Sequence, residues 1–336
     1  MFKIIKYLFA LTVIALISGW VYYTYQINSP LPGNSQEQIF EITQGEGVNQ
    51  ISANLFKQGL IKNSFWFEVY VWQKDLQRNF FAGSYVLPKN LSIKELVKKL
   101  TTSGESEKSI TIPEGWSNKE IGKYLQDQGL GTQDAWLNLV GRNLGSFTAR
   151  YDFLADKPAT VDLEGYLFPD TYRVFKNSSA LEIADKMLAN FDKKITLELR
   201  QEITRQHKTL FEILTLASII EKEVSQEEDM KKVADIFYKR LEVGIALQSD
   251  ATLNYITGKG VTRPSSQDIK TDSLYNTYKY RGLPPGPIAN PGLQAIKAAI
   301  YPTANPYYYF LTTPTGEVIY SKTHDEHVAN KRKYLD

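Results

Sequence analysis

The chain has 336 residues and a net charge of +2, so it is long enough for two or three compact units and lacks the strongly basic surface of a nucleic-acid binder. It contains no cysteine, which excludes disulfides, thiolate metal sites and cysteine nucleophiles. Its three histidines, His207, His324 and His327, are too scattered to suggest a metal centre.

From Tyr7 to Tyr25 the chain runs YLFALTVIALISGWVYYTY without a charge. About 20 apolar residues cross a bilayer core. Trp20, Tyr22, Tyr23 and Tyr25 gather at one end, as an interfacial belt does, and Lys3 and Lys6 precede the segment. The expectation is an uncleaved transmembrane anchor over 1–27, with the N-terminus inside. A cleaved signal peptide is the competing reading, but no small-x-small site precedes the aromatics. Residues 28–37 (NSPLPGNSQE) read as a polar linker.

Residues 38–60 predict strand, turn and helix. QIFEIT alternates, Gly45 and Gly47 break it, and Val48, Ile51 and Leu55 recur at helical spacing before Gly59. The aromatic run SFWFEVYVWQ (64–73) is expected to be buried. GSYVL (83–87) predicts a strand, and Ser92 with Glu95 a capping box. Residues 42–60 align without gaps to 112–130, matching Ile42 with Ile112, Gly45 with Gly115, and Gln58-Gly59-Leu60 with Gln128-Gly129-Leu130. Residues 85–99 resemble 172–186, sharing Tyr, Lys-Asn, Ser, Glu and Lys. One strand–helix–strand–helix module is therefore expected twice, the second copy carrying an insertion. Residues 188–240 are helical in pattern. YYYFLTT (307–313) and EVIYS (317–321) flank a Pro-Thr-Gly turn and predict a hairpin, followed by a short helix. The fold class is α+β.

The sequence has no Walker loop, GxGxxG, GxSxG or HExxH motif, so the search turns to carboxylates in apolar settings. In LFEILTLASIIEKEV (210–224), Glu221 shares a helical stripe with Leu210, Leu214 and Ala217, while Glu223 points the opposite way. Leu216 and Ile219 cover the far side, so the helix is apolar nearly all round and should be buried. Desolvation raises a carboxyl's pKa and keeps it protonated near neutrality, as proton donation to a glycosidic oxygen requires. A Glu neutralised by a salt bridge fits the same pattern. EGYLFPDTY (164–172) brings Glu164, Tyr166 and Asp170 into a Gly/Pro bend that suits either sugar contact or a structural turn. LQSDATLNY (247–255) and YNTYKYRGLPPGPIANPG (275–292) supply Gln248, Ser249, Asp250, Thr252, Tyr275, Asn276, Thr277 and Asn290 as candidate hydrogen-bonding groups for sugar hydroxyls and acetamides, beside a proline-stiffened wall.

These motifs, with the YYYFL…H…N pattern at the end, cover most of 110–336 in order, and with them the chain resembles the endolytic murein transglycosylases of the MltG (YceG-like) family. The resemblance implies a LysM-like module over 38–107, a catalytic domain over 108–336 and a single-pass inner-membrane protein with its active site outside the cytoplasm. It implies Glu221, the first Glu of the family's A-S-I-[IV]-E-K-E pattern, as the catalytic residue. It further implies a lyase reaction on peptidoglycan strands that leaves 1,6-anhydro-N-acetylmuramic ends and terminates nascent strands. No metal or cofactor is expected, and peptidoglycan synthases are the expected protein partners. Two rivals remain at this point: a hydrolytic muramidase with Asp250, Glu164 or Asp170 as second carboxylate, and a non-catalytic wall-binding scaffold.

Overall fold

A computed structural model describes residues 2–32, 37–43, 45–101, 108–142, 145–175, 178–261 and 264–335. Residues 33–36 of the expected linker, 102–107 at the end of the expected module, and the Lys176-Asn177 pair of the repeat lie outside the described residues. The chain divides into two units. Unit 1 comprises 1–108 with 175–182, and unit 2 comprises 109–174 with 183–336.

Unit 1 runs α1 (Phe2–Asn28), β1 (Glu37–Ile42), α2 (Val48–Lys57), α3 (Ser64–Gln73), β2 (Gly83–Pro88) and α4 (Ile93–Thr101). β1 and β2 pair antiparallel, with Ile39 opposite Val86 and Phe40 opposite Tyr85. The alternation in β1 sends Phe40 and Ile42 inward, onto Ile51 and Leu55 of α2, Phe67 and Val71 of α3, and Leu96 and Leu100 of α4. Ile27, near the end of α1, belongs to the same core. The expected burial of residues 64–73 holds for Phe67, Tyr70 and Val71, whereas Phe65 is 58% and Trp72 74% exposed. α3 needs only one face for the core, and its other face stays aromatic.

Unit 2 contains β3 (Lys108–Thr111), α5 (Asn118–Asp127), α6 (Gln133–Arg142), a one-turn α7 (Gly145–Thr148), β4 (Thr171–Val174), α8 (Ala180–Lys194), α9 (Leu197–Arg205), α10 (Leu210–Glu223), α11 (Glu227–Glu242), α12 (Asp250–Thr257), a one-turn α13 (Ser266–Ile269), α14 (Leu293–Ile300), β5 (Tyr309–Thr312), β6 (Val318–Ser321) and α15 (His324–Tyr334). Lys108 and the first turn of α8 belong to unit 1. β3 pairs with β4, and β5 with β6 as the expected antiparallel hairpin.

The repeat is visible in the backbone. α2 and α5 each follow a strand and a glycine turn, and both end alike. Gly59 and Gly129 take φ of 68° and 72°, and Leu60 N and Leu130 N donate to Leu55 O and Leu125 O at 2.9 Å. These are the same left-handed helix stops. The second halves match too. Ser92 with Glu95 begins α4, and Ser179 with Glu182 begins α8, each through reciprocal backbone–side-chain bonds.

α10 is the centre of unit 2. A capping box of Thr209 and Glu212 starts it, and every residue from Ile213 to Ile220 is buried. It packs on α14 and α11. The apolar stripe read from the sequence is therefore a core helix that reaches polar surroundings only at its two ends, the capped first turn and the last turn that carries Glu221.

Candidate active site

Glu221 occupies that last turn and is half-buried. Its Oε2 accepts a hydrogen bond from Gly292 N at 2.9 Å. Gly292 is the N-cap of α14, so the carboxylate sits at a helix N-terminus. Burial pushes the Glu221 carboxyl above its ordinary range, and the neighbouring Glu114 pushes it the same way. The Gly292 N–H and Lys222 act in the opposite direction without cancelling the rise.

Glu114 precedes Gly115 in the turn between β3 and α5. Both carboxylates converge on Gly292. A Cβ added at Gly292 would lie 2.0 Å from Glu114 Oε1. Gly115, with φ of 77°, lies against the Glu221 stem on the other side, where an added Cβ would meet Glu221 Cγ and Lys222 Cδ at 3.3 Å. Lys222 Nζ donates to Gly115 O at 3.2 Å. Two glycines thus let two backbone turns close on one carboxylate, because neither position has room for a side chain without displacing the site.

Three loops are knitted together behind this site by Asn290. Its Oδ1 accepts from Gly165 N at 2.9 Å and Leu167 N at 3.0 Å. Its Nδ2 faces Trp116 O, Asn118 Oδ1 and Glu164 Oε1. Its main chain pairs with the first loop as well, through Gly115 N to Asn290 O and Asn290 N to Trp116 O, both 2.9 Å. Glu164 accepts from Asn118 N with both oxygens, at 2.9 and 3.1 Å. Burial holds its carboxyl well above the usual range, with the charge of Asp162 adding to the rise. Asn290, Glu164 and Tyr166 are enclosed, and the hydrogen bonds of Asn290 and Glu164 are spent inside the protein. They do not present groups to a ligand. Tyr166 packs among Phe153 and Phe191.

The opposite side of the α10 terminus carries a second cluster. Glu223 accepts from Ser249 Oγ. Ser249 N donates to Thr277 Oγ1 at 3.0 Å, and Thr277 Oγ1 also pairs with Thr252 Oγ1 at 2.9 Å. Tyr278 OH donates to Asp250, and Arg240 reaches Gln248 Oε1 at 2.9 Å. Burial raises the Glu223 carboxyl to about 7, against the lowering bond from Ser249. The sequence thus correctly separates Glu221 from Glu223. It misses that Gln248, Ser249, Asp250, Thr252 and Thr277 gather on the Glu223 side.

The other expected residues lie elsewhere. Asn276 is fully buried and bridges Ile269 O and Thr271 O. Tyr275 packs on Tyr255 at 5.1 Å. Asp170 is exposed and bonded to Asn190 of α8 at 3.0 Å. Among the described residues, no group of three or more His, Asp or Glu side chains is arranged to hold a metal ion. Sequence reasoning did not single out Glu114, Gly115 as a site residue, Gly292, Arg240 or Tyr278. The one available signal is the Glu114-Gly115 pair, which the sequence presents only through the match of Gly115 with Gly45.

The site thus brings a desolvated carboxyl at the end of a core helix together with a second carboxylate and a helix N-terminus, an arrangement chemically able to move a proton. The profile of the YceG-like family matches residues 40–333, and the chain belongs to that family. An endolytic murein transglycosylase of Bacillus subtilis is 32% identical over 331 residues, covering 95% of this chain and 91% of that protein. One from Streptococcus pneumoniae is 33% identical over 97% of this chain, which spans 64% of that longer relative. The crystal structure of a YceG-like protein from Listeria monocytogenes matches with a TM-score of 0.61 and 34% identity, covering 89% of this chain and all of that one.

Proposed function

We propose that this protein is an endolytic lytic transglycosylase of peptidoglycan, with Glu221 as both its acid and its base. The observation that carries the reading is the Glu221 carboxyl itself, raised by burial at the end of α10 and held by Gly292 N. The names of its relatives supply the substrate.

In this reading, protonated Glu221 gives its proton to the oxygen linking C1 of N-acetylmuramic acid to the next N-acetylglucosamine. The C1–O bond breaks and positive charge develops at C1. Glu221, now a carboxylate, takes the proton of the sugar's own 6-hydroxyl as that oxygen bonds to C1. The products are a 1,6-anhydro ring and a free 4-hydroxyl; no water is consumed, and Glu221 ends as it began. One titrating carboxyl suffices because the substrate brings the nucleophile, whereas two-carboxylate hydrolases need a second acid placed for water or for covalent attack. Glu114 and Lys222 set the charge around Glu221, and Asn290 with Glu164 holds the loops that carry Glu114 and Gly292.

The proposal extends to the rest of the chain. The apolar helix Lys6–Asn28 is long enough to cross a bilayer. It serves as a single-pass anchor, N-terminus inside, with both units outside the cytoplasm. Unit 1 acts as a LysM-like glycan-binding module, and peptidoglycan synthases are the protein partners. The experiment is digestion of purified sacculi by the parent and by Glu221→Gln, with mass spectrometry of the fragment ends. General acid–base catalysis is worth about a hundred- to ten-thousand-fold, so the variant should lose at least that. Parent products should carry anhydro ends; reducing muramyl ends would make the protein a hydrolase.

A further inference from the structure

The aromatic face of α3 has no role in the core of unit 1. Phe65, Val69 and Trp72 fall at i, i+4 and i+7, on one stripe. Phe65 and Trp72 are among the most exposed large apolar side chains of the unit, and Val69 is half-exposed. Trp66 lies beside the stripe, packed edge-on to Phe65 at 4.9 Å. The one charge within α3, Glu68, accepts from the buried Ser52 of α2 and so turns away from the stripe. Lys62 and Lys74 are exposed just beyond the two ends of the helix.

The depth of this face is set by α1. Tyr22 and Tyr23 pack on Trp66 with ring centroids 5.7 and 5.9 Å away, and Tyr23 OH bonds to Gln73. Ile27, one turn further on, is in the core of the unit. The end of α1 is therefore built into unit 1 without an intervening tether. A bilayer core of about 30 Å takes about 20 helical residues at 1.5 Å each. Counted from Lys6, the core ends close to Tyr25, so Tyr22 and Tyr23 stand at its outer boundary. Whatever touches them stands at the same depth.

We propose that the Phe65–Val69–Trp72 face of α3, with Trp66, seats unit 1 in the headgroup layer of the bilayer that α1 crosses. The proposal rests on the anchor reading given above. Tryptophan and tyrosine favour that layer because one part of the ring system is apolar and another can hydrogen-bond. Lys62 and Lys74 then meet lipid phosphates, and the surface takes anionic bilayers in preference to neutral ones.

The chain has no cysteine, so single nitroxide labels can be placed on the full-length protein. Trp20→Cys marks α1, Val69→Cys marks the centre of the stripe, and Leu197→Cys marks an exposed site in unit 2. Each is reconstituted in vesicles of phosphatidylethanolamine and phosphatidylglycerol, and collisions with oxygen and with a water-soluble nickel chelate are compared. The expected result is a lipid-like ratio at 20, an intermediate ratio at 69 and a water-like ratio at 197. Adding Phe65→Ser and Trp72→Ser should shift the label at 69 to a water-like ratio in the Val69→Cys protein and leave the label at 20 lipid-like in the Trp20→Cys protein; an unshifted label at 69 means α1 alone sets its depth and overturns seating by this face. A lipid-like label at 20 with a water-like label at 69 overturns the seating and leaves the anchor standing. Water-like labels at both positions overturn the anchor and the seating together.

Discussion

Replacing Asn290 by Ala separates two roles for this residue that the sequence alone could not. If Asn290 binds sugar, the substitution raises the apparent KM and leaves the fold unchanged. The structure indicates the reverse. The acceptors around its Nδ2 lose little, since Trp116 O still receives Asn290 N and Glu164 still receives Asn118 N. The donors Gly165 N and Leu167 N, which end on Asn290 Oδ1, lose the acceptor the structure gives them. Each buried N–H left unpaired costs about 1–3 kcal/mol, so the pair costs about 2–6 kcal/mol. For a domain the size of unit 2, about 1 kcal/mol moves Tm by roughly 2–4 °C, which gives a fall on the order of 10 °C. Circular dichroism melts measure the fall, and amide exchange at Gly165 and Leu167 should accelerate with it. Activity should drop through kcat, because the loops bearing Glu114 and Gly292 lose their shared support. A variant that melts within about 2 °C of the parent and shows only a raised KM would refute this reasoning.

Glu114→Gln removes a negative neighbour of Glu221, so the alkaline limb of the pH–rate profile should move to lower pH; an unmoved limb means Glu114 does not act on Glu221. Glu223 is raised from 4.5 to about 7, so its proton stabilises the fold fully below about pH 4.5, and that contribution is lost as pH rises through about 7. Glu223→Gln should accordingly gain stability relative to the parent between pH 5 and 8, and parallel Tm–pH curves for the two proteins would count against it. Gly115→Ala should cost about 1–2 kcal/mol for its left-handed backbone and also push on Glu221, giving a less stable and much less active protein. Gly292→Ala, whose backbone is ordinary at φ −73°, should melt near the parent yet lose activity as Glu114 is displaced, a contrast read from paired melts and sacculus digestions.

The placement of Glu221 is legible in the sequence because helical periodicity is local: a buried stripe and the acid at its end lie within one segment. The hairpin β5–β6 and the twin helix stops at Gly59 and Gly129 were legible for the same reason. Glu114 and Gly292 were not, because they meet Glu221 only after loops far apart in sequence pack together. The density of amides and hydroxyls over 247–255 and 275–292 suggests sugar-binding capacity. Asn276 and Asn290 instead spend that capacity on backbone groups of turns, which an irregular chain must satisfy somewhere. The composition of 64–73 predicts burial, but aromatic residues all round a helix do not say which face the core takes.

The repeat has a consequence for which positions are free to change. Gly45 and Gly115 occupy the same turn in the two copies, with φ of 84° and 77°. Among the described residues nothing lies within 4 Å of a Cβ built at Gly45, whereas Gly115 has Glu221 and Lys222 against it. The residue before each glycine differs accordingly: an amide, Gln44, in the first copy, and a carboxylate, Glu114, in the second. The same turn geometry thus stands open in one place and is packed against the Glu221 carboxylate in the other. A library randomised at both pairs and selected for activity should keep glycine favoured at 45 for its left-handed backbone alone, but tolerate more variation at 44–45 than at 114–115, where a side chain at 115 also meets Glu221 and Lys222.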